Sequence, residues 1–241
     1  MDVVRKAVER GAVDFGWLKS HHSFSFGQYY DPKFMGFSNL RVINDDVVAG
    51  DSGFPTHPHQ NMEILTYGIE GTISHKDSTG GEGDINAGEI QLMSAGTGIS
   101  HSEMNRMPHP AKFFQIWIVP DQINTNPGYS QSKIEEIPSM DGLKTLVSPE
   151  GEYPVLRIKA PVEVHELTLS LQMKQREFHL KPGRVVWIQG VEGKVNVKTP
   201  QGGSYLLDGR DAVGSKTNGK FLFSSDEEVA KVLIFDLPFS E

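Results

Sequence analysis

The chain has 241 residues, with 31 acidic against 23 basic and a formal charge of −8. That balance argues against wrapping nucleic acid or lying on an anionic membrane, since both need a cationic face. Cysteine is absent, so disulfides, thiolate metal sites and cysteine nucleophiles are excluded, and any metal must be held by imidazole and carboxylate.

In chain order, the N-terminal stretch MDVVRKAVERG scatters charges and lacks the apolar run of a secretory signal. The most apolar stretch, Phe113–Val119, is far shorter than the roughly 20 residues that span a bilayer. A soluble, cytoplasmic protein is expected, monomeric by default. The 25 glycines imply frequent turns between short strands. Strand candidates begin with Leu40–Ile43 and Met62–Ile69. In the latter Met62, Ile64 and Thr66 share one face while Leu65, Tyr67 and Ile69 share the other, as in the interior of a sandwich or barrel. Ile90–Met93, Lys112–Val119, Val155–Ile158, Val162–Leu171, Arg184–Ile188, Lys194–Lys198 and Val229–Asp236 follow. Only Ser132–Ile137 and Ser139–Leu143 look weakly helical, with Pro138 between them. The stretch from Pro120 to Pro154 is rich in proline, Asn, Ser and Gly, and reads as an irregular boundary. Two β domains are therefore expected, residues 1–132 and 133–241. Leu65–Gly71 and Trp187–Gly193 (WIQGVEG) both end a strand in Ile/Val-Glu-Gly before a second strand, a weak internal similarity that duplication would explain.

Two short motifs could carry chemistry: His57-Pro58-His59 and His101-Ser102-Glu103. On a strand, residues i and i+2 point to the same face. If the two strands face one space, three imidazoles and one carboxylate converge, a donor set suited to divalent iron, copper, nickel, manganese or zinc. Four such ligands leave two positions of an octahedral ion open. Glycines frame both motifs: Gly53 precedes the first pair, Glu63 and Gly71 follow it, and the second reads Gly98-x-x-His101-x-x-x-Asn105.

At these residues the chain resembles the cupin superfamily, with a slight departure in the glycine-to-histidine interval. Within cupins it is similar to the pirin family, including bacterial pirin-like quercetin dioxygenases. The resemblance rests on HSFSF (His22–Phe26), YYDP (Tyr29–Pro32), MGF (Met35–Phe37), LRVINDD (Leu40–Asp46), THPHQNMEILTY (Thr56–Tyr67), MSAGTGISHSEMN (Met93–Asn105) and QIWIV (Gln115–Val119). It covers essentially the N-terminal half and is looser beyond. It implies an all-β bicupin: two double-stranded β-helix barrels with a few short helices, and metal in the N-terminal barrel alone. The family's ligands map onto His57, His59, His101 and Glu103, with one divalent metal per chain, iron first and copper, nickel, manganese, zinc or cobalt as alternatives. Most cupins would instead use a carboxylate at Glu63. Counting by two from His57 puts Glu63 on the ligand face if the strand is unbroken, but Glu103 fits the pirin pattern, leaving Glu63 beside the site or at its rim.

The implied activity is a flavonol 2,3-dioxygenase that opens the central ring of quercetin-like substrates with O2, Glu103 serving as general base. The alternative is a non-enzymatic, iron-dependent redox-sensing regulator acting through a protein partner. Other candidates have plainer readings. His75, beside Lys76 and Asp77, reads as surface, His21 and His22 as rim or core, and His109 as loop. The pairs Glu163/His165 and Glu177/His179 repeat the i, i+2 spacing without a glycine frame. Phe113, Phe114 and Trp117 read as core, although one face could line a pocket. No Gly-rich phosphate loop or G-x-S-x-G elbow is present.

Overall fold

The computed structural model describes residues 2–239. Strands dominate it, and the only helical turns among the described residues are the 3-10 segments Ala7–Glu9 and Ile134–Glu136. Ser139–Leu143 is not helical: Met140 and Leu143 bridge each other across a tight turn. No described helix is long and apolar enough to cross a membrane. The expected all-β, two-barrel architecture is present, as two compact units that are interleaved along the chain.

The first unit comprises Gly11–Glu136 and Pro149–Pro161. Its larger antiparallel sheet runs in the order Gly128–Lys133, Glu89–Ser94, Glu63–Glu70, Ala111–Ile118, Leu40–Val48, Leu18–His22, Gly11–Asp14. The smaller sheet runs Ser52–His59, Ile99–Asn105, Thr72–Asp77, Glu82–Asn86. Gly128–Lys133, inside the stretch read as linker, is therefore an edge strand of this barrel. Ser52–His59 carries two prolines yet remains a strand because it lies at the sheet edge, where a missing N–H costs no ladder bond.

The second unit holds the chain through Arg10, Ile137–Ser148 and the residues from Val162 on. Asp2–Arg5 completes its larger sheet, pairing with Ala212–Ser215 from Asp2 opposite Ser215 to Arg5 opposite Ala212. The boundary drawn at 132/133 is linear, whereas each unit takes in a segment from beyond it. Strand pairing across two hundred residues leaves no local signal in the sequence.

The internal similarity has a structural counterpart in each unit. Gly71 (φ +73°) and Gly193 (φ +66°) both carry the chain from a strand of the larger sheet to one of the smaller sheet, in the left-handed region that favours glycine. Gly68 and Gly190, three residues earlier, are both strand positions where a Cβ would stand 2.1 Å from a backbone oxygen. Opposite them the same irregularity recurs: Gly68 and Glu70 face Phe113 and Lys112, and Gly190 and Glu192 face Val232 and Lys231. This anchor sets the two barrels in register, residue by residue.

Candidate metal centre

Ile99–Asn105 alternates strictly, with Ile99, His101, Glu103 and Asn105 buried, so period 2 turns both predicted ligands of this strand inward. His101 lies directly opposite His57, and Ile99 opposite His59. The Nε2 atom of His101 stands 3.0 Å from that of His57 and 3.1 Å from that of His59. Among the described residues these three form the one group of potential metal donors, mutually within 4.8 Å.

The frame residues have identifiable tasks. A Cβ on Gly53 would meet the carbonyl oxygen of Glu103 at 2.3 Å, so only glycine lets the two ligand strands approach. Asn105 donates from Nδ2 to the carbonyls of Val48, Ala49 and His109, tying down the strand end beyond the ligands.

Hydrogen-bond partners assign the tautomers. His57 Nδ1 donates to the Pro55 carbonyl at 2.8 Å, leaving its Nε2 lone pair free. Asp77 is held below the usual carboxylate range: burial pushes it up, but hydrogen bonds from Thr79, His75 and Gly81 outweigh that. It therefore accepts from His75 Nε2 at 3.0 Å. The unprotonated Nδ1 of His75 accepts in turn from His101 Nδ1 at 3.2 Å, so His101 Nε2 also carries a lone pair. Burial lowers the His59 imidazole to about 4, with His57 adding to the effect, and pulls His101 down further still. Burial thus keeps His59 and His101 neutral, and the Nε2 atoms of the three rings crowd one point, an arrangement that a cation relieves. Metal–nitrogen bonds of about 2.0–2.1 Å at right angles put two nitrogens about 2.8–3.0 Å apart, close to the 3.0 and 3.1 Å seen here. The donor set fits a divalent transition metal.

Glu103 is placed differently from the three imidazoles. It stands outside their cluster and accepts from Gln115 Nε2 at 2.6 Å and from Thr66 Oγ1 at 3.3 Å. Burial pushes its carboxyl up to about 7, against the pull of Gln115 and Thr66. Glu63 is not on the ligand face. Asn61, at φ +50°, breaks the strand, and Glu63 begins a strand in the other sheet. Its carboxylate instead accepts from Ser94 Oγ and the Lys159 N–H.

His75 corrects the surface reading. It is 1% exposed, stacks on Tyr129 and backs His101. The signal was available, since Ile73, His75 and Asp77 alternate on one face and Ile73 is apolar. Asp46 and Asn44 were also missed as site residues. Both line a cavity of about 470 Å³ that reaches His57 and His59. Phe15, Trp17, Phe26, Phe54 and Trp117 supply aromatic walls, His22 and Gln115 further polar ones. Trp117 meets the His59 ring edge-on at 5.0 Å, while Phe113 and Phe114 are core. Burial raises Asp46 to about 7, with Ser20 drawing it back and Glu103 and Asp45 adding to the rise. His21 is exposed and His109 lies in a loop.

Among its described residues the second barrel brings no such group together. Glu177 pairs with Lys220 at the surface and His179 is exposed. His165 is buried against Phe178 and contacts Thr145 Oγ1 and Glu163. In the common register His57, His59, His101, Glu103 and His75 correspond to Phe178, Leu180, Phe221, Phe223 and Val197. All five are in that barrel's apolar core.

Two family models match the chain: "Pirin" over residues 3–118 and "Quercetinase C-terminal cupin domain" over residues 145–237. A protein of Escherichia coli (strain K12) named quercetin 2,3-dioxygenase is 43% identical over 239 residues, covering 99% of both chains. A pirin-like protein of Caulobacter vibrioides is 36% identical, covering 93% of this chain and 94% of that one. The crystal structure of the E. coli bacterial pirin YhhW in complex with nickel(II) matches with a TM-score of 0.90 at 40% identity, covering 100% of each chain. With two barrels, a His-x-His strand facing a His-x-Glu strand, and relatives of this identity over the full length, the chain belongs to the pirin family of bicupins.

Proposed function

We propose that the chain is a metal-dependent dioxygenase that opens the central ring of flavonols such as quercetin with O2. The convergence of three imidazoles beside a cavity of about 470 Å³ walled by aromatic rings carries this reading, and the names of the E. coli relatives support it. The cavity has the size range of small-molecule sites, 300–1,000 Å³ or so. His57, His59 and His101 would hold the ion, with Glu103 as fourth ligand, and iron is the first choice of metal. When bound, a divalent ion supplies Lewis acidity that makes a coordinated hydroxyl easier to deprotonate.

The chain's own groups supply the rest. Thr66 makes the longer of the two contacts to Glu103, so Oε1 is the freer oxygen and takes the proton of the flavonol 3-hydroxyl. Gln115, donating to Oε2, keeps the carboxylate aimed while the proton moves. Trp17, Phe26, Phe54 and Trp117 hold the flat rings and keep water from the electron-rich anion. In the overall reaction both atoms of O2 enter the product, two ring carbon–carbon bonds break, and carbon monoxide leaves.

Flavonol loss and carbon monoxide release under O2 should therefore be seen with metal-loaded protein. His59→Ala should abolish both. Glu103→Gln, which keeps shape but cannot hold the proton, should lower kcat by about 10²–10⁴-fold. Equal turnover in all three proteins would refute the proposal.

A further inference from the structure

The cavity beside the imidazoles has a second wall with polar atoms that the proposed chemistry does not use. It lies on the inner faces of three neighbouring strands, Leu18–His22, Leu40–Val48 and Ala111–Ile118, where Asp46 stands opposite Ser20 and Phe113, and Asn44 opposite Gln115. Asn44 is 3% exposed and Asp46 2%. Each keeps a buried Oδ1 without a partner, as does the indole N–H of Trp117, and all three residues line the same cavity. Buried polar atoms without partners are few in native proteins, and three around one cavity call for an external partner. The fold does not require them. In the common register Asp46, opposite Phe113 and hence Gly68, corresponds to Leu167, opposite Val232 and hence Gly190. Leu167 is apolar core.

We propose that Asn44, Asp46 and Trp117 form a polar subsite that binds ring hydroxyls of an aromatic substrate, at a distance from the hydroxyl taken to the metal. A phenolic O–H donates to Asn44 Oδ1 or Asp46 Oδ1, and a phenolic oxygen accepts from Trp117 Nε1. Two acceptors and one donor suit a ring bearing more than one hydroxyl, while the aromatic wall packs its faces. The subsite thus selects polyhydroxylated flavonols over bare ones, an inference that rests on the flavonol reading for its substrate and on the cavity alone for its chemistry.

Anaerobic binding to metal-loaded protein, read by quenching of Trp17 and Trp117, tests this. Quercetin, with hydroxyls on both outer rings, is compared with 3-hydroxyflavone, which has none there. Wild type should favour quercetin by about tenfold or more, the worth of one or two buried hydrogen bonds. In Asn44→Leu and in Asp46→Leu the ratio should fall below about threefold, and Tm should hold or rise, because each change removes an unpaired polar atom. An unchanged ratio overturns the proposal. So does a fall in Tm of several degrees, which would mark the side chains as structural.

Resorcinol separates this inference from the flavonol reading, because its two hydroxyls cannot chelate a metal. If neither flavonol binds wild type, the flavonol reading fails. Resorcinol binding to wild type that is lost in both variants then still upholds the subsite. No resorcinol binding, or equal binding by all three proteins, overturns it.

Discussion

Asp46 is a carboxyl that the fold removes from water. Burial is the main cause of its rise to about 7, Ser20 opposes it, and the nearby Glu103 and Asp45 add to it. The folded state thus holds this proton more tightly than the unfolded chain, whose carboxyl titrates near 3.8. Its contribution to stability is complete below about pH 4 and is lost as pH rises through about 7. A shift of about three units is on the order of 4 kcal/mol. Asp46→Asn, which cannot ionise, should therefore gain in Tm relative to wild type between pH 4 and pH 7, then level off. Parallel melting curves for the two proteins across that range would show that Asp46 titrates normally. The sequence hides this residue because an Asp45-Asp46 pair reads as solvated. What buries it is its place among Val42, Asn44 and Val48, every second residue of one strand, with valines at both ends of the row. His57, His59 and His101 were legible for the same period-2 reason, since spacing alone sets both imidazoles of His-x-His on one face.

At the scale of the element, Thr72–Asp77 is more than a wall. It lies next to Ile99–Asn105, with Asp77 opposite His101 and His75 opposite Glu103, and supplies the chain Asp77–His75–His101 that fixes which nitrogen of His101 carries the lone pair. Partners of this kind behind a metal-binding histidine are worth about 10–100-fold in affinity. His75→Phe should weaken metal binding by that order in competition with a chelator and change the visible spectrum of cobalt-loaded protein. His75→Gln, which retains a carbonyl acceptor, should restore part of both. Unchanged affinity and spectrum in the phenylalanine variant would reduce the strand to packing. The sequence could not convey which strands are neighbours. His75, framed by Lys76 and Asp77, looks solvated until the strand beside it is known, and Glu63 looks like a ligand until the turn at Asn61 sends it to the other sheet.

The whole molecule contains its own control. Two barrels share strand order, a sheet-to-sheet turn at a left-handed glycine, and a register irregularity, yet the cluster of three histidines lies in the first. In the second Phe178, Leu180, Phe221, Phe223, Val197 and Leu167 fill the matching positions with apolar core. The fold therefore accommodates either set, and its architecture does not account for the polar set of the first barrel. This much was legible: two β domains, and a convergence of three imidazoles in the first. The linear division was not, because the chain through Arg10 belongs to the second unit and Pro149–Pro161 to the first. Leu156, Ile158 and Ala160 are buried, the larger side chains each worth roughly 1.5–3 kcal/mol. The Lys159 N–H bonds the buried Glu63, and its ammonium reaches Thr125 and Asn126. A fragment ending at 132 loses all of these and leaves the Glu63 carboxylate short of a donor, so it should melt without a cooperative transition. A fragment of residues 11–161 retains them. It should melt cooperatively and take up about one divalent metal per chain, with a Tm that rises on metal addition because the ion binds only the folded state. Equal cooperativity and equal metal content in the two fragments would mean that Pro149–Pro161 is dispensable and that the linear boundary describes the folding unit.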